Sequence, residues 1–139
     1  VDTMKKIMTT LFRFLFAFML TGCSQQLSID AEDITQVTIR KNVVIGDDAD
    51  CFDDEKVYEP HNLIHEETIS EFFENLNSWK YKESKEQLDI CGYKYTIKWK
   101  TETIQVVDEK YFYYNGDLFR ITDGDLKFLN DIEFKVRDY

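Results

Sequence analysis

The sequence predicts an α+β fold: an antiparallel sheet, built as a meander, with one main helix packed on it and a short C-terminal helix. Three observations carry that reading. Apolar and polar residues alternate through the segments after Tyr93, a central segment repeats its apolar residues at helical spacing, and an Asn-Gly pair separates the last two alternating segments.

Taken in order, Val37, Ile39, Val43 and Ile45 alternate with Thr38, Arg40, Asn42 and Val44, the pattern of a half-buried strand. Gly46 to Glu55 is a dense acidic segment. It lacks the sixth-position glycine and twelfth-position glutamate of an EF-hand, so it reads as a solvated loop. Ile69, Phe72, Phe73, Leu76 and Trp79 then share one helical face, with Glu71, Glu74, Asn75 and Asn77 on the other. Glu66 and Glu67 suit the positive end of the helix dipole, and Thr68-Ile69-Ser70-Glu71 has capping-box form.

From Tyr93 the period is two. Tyr93, Tyr95, Ile97 and Trp99 alternate with Lys94, Thr96, Lys98 and Lys100, and Ile104, Val106, Phe112, Tyr114, Phe119 and Ile121 continue the pattern. Asn115-Gly116 marks a hairpin, because both residues tolerate the positive φ of a type I′ turn. These segments predict three or four antiparallel strands. Thr122-Asp123-Gly124-Asp125 opens the short helix carrying Leu126, Leu129 and Ile132, and Phe134 and Val136 suggest a final extended piece.

The N-terminal stretch is a different kind of signal. Lys5, Lys6 and Arg13 supply a cationic part, Phe14 to Leu20 an apolar run, and Thr21-Gly22 the small residues of a secretory cleavage site. The run is shorter than the ~20 apolar residues a bilayer span takes. Leu20-Thr21-Gly22-Cys23 resembles the lipobox of bacterial lipoproteins. That resemblance implies cleavage before Cys23, a diacylglycerol thioether on it and usually a further acyl chain, which together make a stable anchor. An ordinary cleaved secretory peptide and a short cytoplasmic amphipathic helix are the alternatives. The expected organisation is a signal peptide over 1–22, a lipidated tether over 23–33 and a single α+β domain over 34–139. The expected location is the cell envelope, facing outside the cytoplasm: the cell membrane, or the outer membrane in a Gram-negative cell.

The leader holds three of the 17 basic and one of the 27 acidic residues, which leaves 14 against 26 and a formal charge of −12. Such an excess of negative charge repels nucleic acid and anionic headgroups at long range, so no nucleic-acid partner and no polybasic membrane contact is expected. With Cys23 assigned to lipid, Cys51 and Cys91 remain as an even pair in an oxidising compartment, which favours a disulfide; two buried free thiols are the alternative.

Chemical motifs are sparse. The sequence holds no G-x-S-x-G elbow, no phosphate-cradling glycine loop and no paired-cysteine metal motif, and it implies no cofactor. His61 and His65 have the spacing of zinc ligands, yet the glutamate follows the second histidine and Pro60 places His61 in a loop, so no metal site is expected. Two functions from different classes follow. One is a non-catalytic interaction or accessory module meeting an envelope protein through Tyr81, Tyr111 and Tyr113, which stand outside the main apolar stripes. The other is a small envelope hydrolase or metal-dependent enzyme, which needs a pocket where His61 or His65 converges with carboxylates of the acidic loop.

Overall fold

The computed structural model describes residues 24–42, 57–88 and 92–137. In chain order these form β1 (Gln25–Gln26), β2 (Val37–Lys41), β3 (His61–Leu63), helix α1 (Glu66–Asn77), β4 (Lys80–Glu83), β5 (Tyr95–Trp99), β6 (Glu102–Val106), β7 (Tyr111–Tyr114), β8 (Asp117–Asp123) and helix α2 (Lys127–Asn130). The strands make one antiparallel sheet in the order β1-β4-β8-β7-β6-β5-β2-β3. The signal peptide, Cys23, Val43 and Ile45, the acidic segment with Cys51, and Cys91 lie outside the described residues.

The expected meander is the centre of this sheet. β5 to β8 pair consecutively, and the alternation puts Tyr95, Ile97, Trp99, Ile104, Val106 and Phe112 on one face with relative exposures of 0–4%. We call this the inner face. Asn115 and Gly116 adopt φ of +49° and +93° in the β7–β8 turn. The Asn115 backbone N–H donates to Thr103 O at 2.9 Å, and its side-chain oxygen accepts from the Thr103 N–H at the same distance, which ties the turn to the neighbouring hairpin.

Helix α1 buries Ile69, Phe72, Phe73 and Leu76, the residues its spacing singles out. Phe73 meets Trp99 of β5 edge-on at 5.1 Å between centroids. Phe72 meets Phe128 of α2 at 5.4 Å, and Phe128 lies 5.8 Å from Trp79. Trp79 has no exposed surface, packs 5.5 Å from Phe112, and donates from Nε1 to Asp125 O at 2.9 Å. Both helices thus sit against the inner face. The helix begins at Glu66 behind His65, three residues before the capping-box start: no side chain caps it, and Glu66 and Glu67 occupy the first turn.

Other expectations change with the pairing. β8 runs on to Asp123, so Thr122 belongs to a strand and does not cap a helix; Asp125 accepts from the Lys127 N–H at 3.0 Å instead, and α2 starts at Lys127. His61, expected in a loop, is the first residue of β3, paired with Ile39. The final extended piece is present as a bridge between Val136 and Tyr58, flanked by Glu59 N–H to Lys135 O at 2.8 Å and Arg137 N–H to Val57 O at 2.7 Å.

Within the stretch expected as a tether over 23–33, residues 24–33 lie against the sheet and core. Gln25 and Gln26 pair with Tyr81 and Lys80, Leu27 is buried, and Ile29 and Ala31 pack against the core. The Asn77 side chain acts as a local strand partner: it accepts from Ile29 N–H at 2.9 Å and donates to Ile29 O at 2.8 Å. The segment is held in two ways: the alternate residues Leu27, Ile29 and Ala31 turn to the core, and its backbone groups find partners on the folded surface.

Candidate functional site

Strand pleating places Thr38, Arg40, Thr96, Lys98, Thr103, Gln105, Tyr113 and Arg120 on the face opposite the core. Register aligns them. Arg40 lies across from Thr96, Thr96 from Gln105, Gln105 from Tyr113 and Tyr113 from Leu118, a continuous row over five strands. A second row joins Tyr111, Arg120 and Lys82. Arg40, Lys98, Arg120 and Lys82 are all exposed, whereas Thr96 and Leu118 are buried beneath their neighbours. The result is a cationic and tyrosine-bearing face on a chain whose formal charge is −10.

The three tyrosines singled out by sequence do not stand together. Tyr111 and Tyr113 are on this outer face. Tyr81 is on the inner face, paired with Ile121 and edge-on to Phe112 at 5.5 Å and to Phe119 at 4.9 Å, so it serves the core. Its place is taken by Tyr93. A bend at Lys94 interrupts the alternation before β5 and brings the Tyr93 ring to 5.8 Å from Tyr113. Tyr111 Oη donates to Glu86, and this hydrogen bond, with smaller effects of desolvation and the Glu86 charge, holds the phenol above its ordinary pKa. Glu86 is thereby the carboxylate fixed beside this face. Arg40, Lys98 and Arg120 are each an ordinary polar position in its own strand, and only the register shows them as one surface.

The opposite side holds a groove of about 420 Å³ between β3, α1 and α2, lined among others by His61, Glu71, Phe72, Phe128 and Asp131. The His61 ring rests edge-on against Phe134 at 5.9 Å between centroids. Asp131 is occupied by Lys127 at 2.6 Å in an exposed pair one helical turn apart. His65 is the N-cap residue of α1. Among the described residues no group of three histidine, cysteine or acidic side chains is arranged to hold a metal, and no helix is long and apolar enough to cross a membrane. No family model, curated protein or solved structure matches the chain.

Proposed function

We propose that the chain is an exported, lipid-anchored protein of the bacterial envelope that works as a non-catalytic interaction module, with the outer sheet face as its contact surface. The observation that carries the contact surface is the alignment of Tyr111, Tyr113 and four exposed cations on a face against which neither helix packs. The α1 helix is then the main cover of the inner face, which leaves the outer face for partners. Export and anchoring rest on the lipobox ending at Cys23.

A Cys51–Cys91 disulfide belongs to the same reading. Asn42 donates from its N–H to Lys94 O at 3.0 Å and from Nδ2 to Tyr93 O at 3.1 Å. The stretches leading to the two cysteines therefore leave the sheet at neighbouring points, an arrangement that favours their meeting. Intact mass of the membrane-extracted protein, with and without reduction and alkylation, tests both parts. Acyl mass on a product starting at Cys23, with two thiols appearing only after reduction, is the expected result. A product retaining the leader with all thiols free overturns export.

One observation favours a second reading, a small hydrolase: His61, Glu71 and Asp131 line one groove. Its test is turnover of simple ester and phosphoester substrates by the protein and by His61→Ala. Turnover that is absent, or indifferent to His61, removes it.

A further inference from the structure

We infer that the outer sheet face lies on the anionic bilayer surface beside the protein's own anchor. The inference rests on the reading of Cys23 as the lipidated residue, and it names the occupant of the contact surface.

Charge is the first argument. Arg40, Lys82, Lys98 and Arg120 are exposed on one face of a strongly acidic chain, with Glu86, held by Tyr111, the carboxylate beside them, so cations outnumber acids at this surface while the chain as a whole is negative. A free acidic protein has to approach the whole molecule from solution against its net charge. A membrane to which the domain is already tied does not, and within about 10 Å of the surface the local charges decide which side turns toward it. Basic side chains on that side are drawn to anionic headgroups.

The second argument is where the chain enters the fold. Ser24, the residue after Cys23, hydrogen-bonds through Oγ to Thr122 Oγ1 at 2.8 Å, two residues along β8 from Arg120. Gln25 pairs with Tyr81, next to Lys82. With residues 24–26 fixed to the sheet, no free spacer separates Cys23 from the domain. The anchor leaves at the edge of the cationic face, and the bilayer is thereby within reach of that face. Tyr111 and Tyr113 suit the site, since a phenol ring presents an apolar body and a polar tip at a headgroup boundary.

The test uses the native protein reconstituted through its anchor in phosphatidylcholine vesicles with or without phosphatidylglycerol. Lysines are acetylated briefly and each site is read by mass spectrometry, with Lys127 on α2 as the reference. Lys82 and Lys98 are expected to be modified on the order of tenfold more slowly, relative to Lys127, in the anionic vesicles, and the difference is lost at high salt. The Arg40→Glu, Arg120→Glu variant, changed only at exposed positions, is expected to lose the protection while keeping its thermal unfolding. Equal modification in both vesicles overturns the inference and leaves the face to a protein partner. Protection that arises without vesicles and grows with protein concentration also overturns it, in favour of a second copy. The intact mass of the same sample scores the anchor separately. If it shows no acyl chain, the anchoring reading fails and the inference falls with it; acyl mass together with equal modification in both vesicles overturns the inference alone.

Discussion

The two faces of this sheet are made from alternate residues of the same strands, yet they obey different rules. On the inner face Ile97, Ile104 and Phe112 have no exposed surface and belong to one core cluster with residues of the helix and the sheet. On the outer face their chain neighbours Lys98, Thr103 and Tyr113 remain exposed or half-exposed. The difference teaches where constraint lies. Shape and volume are fixed on one side, and charge and side-chain type are free to serve a surface on the other.

The sharpest way to break the comparison is to truncate one residue on each side of β7. Phe112→Ala removes a ring that packs against Trp79, Tyr81 and Phe119, and it is expected to cost about 3–5 kcal/mol in urea unfolding. Tyr113→Ala, one residue on, is expected to stay within about 1 kcal/mol of the parent. Comparable losses from both would mean that the outer face is packed like a core.

A smaller effect sharpens the inner side. At Gly124 an added Cβ would stand 2.6 Å from Trp79 Cδ1, and φ is +150°. Gly124→Ala is expected to destabilise by about 1–3 kcal/mol, because the tryptophan is fully buried and has nowhere to shift. Gly116→Ala is the comparison: its φ of +93° strains the backbone, but the Cβ meets nothing within 4 Å. A Gly116 substitution as harmful as the Gly124 one, judged by thermal unfolding, would show that backbone conformation and not the contact with Trp79 is what matters.

How much of this was legible in sequence follows from the same contrast. The inner face repeats, so β5 to β8 and the buried residues of α1 could be read from periodicity, and Asn115-Gly116 marked its turn directly. β1, β3 and β4 could not. They have two to four residues, β1 is polar throughout and β4 carries a single ring, Tyr81, between charged residues, so their place is set by pairing with strands already formed. The outer face was legible strand by strand, as the polar alternate positions, but not as one surface. Arg40, Lys98 and Arg120 come from three separate strands, and net charge averages their cations away against acids elsewhere in the chain. Tyr81 and Tyr93 exchanged sides because a register shift lies at Lys80/Tyr81 and a bend at Lys94, and neither leaves a mark in composition.

The finest distinction between the faces is how each keeps a tyrosine protonated. Tyr114, on the inner side, has its pKa pushed up to about 12 by burial first, and then by the charge and hydrogen bond of Glu102. Tyr111, half-exposed on the outer side, is raised chiefly by its bond to Glu86. A raised pKa means that the folded state holds its proton more tightly than the unfolded chain. The stabilisation is therefore complete below the ordinary value of 10.0 and is lost as pH rises toward about 12. Urea unfolding at stepped alkaline pH is expected to show declining stability across that window, with a shallower decline in Tyr114→Phe. Tyr111→Phe is expected to change the slope less, since solvent screens an exposed pair. An unchanged slope in Tyr114→Phe would place the alkaline response elsewhere, and a larger effect from Tyr111 would mean that the outer face is less open to water than its exposed cations indicate.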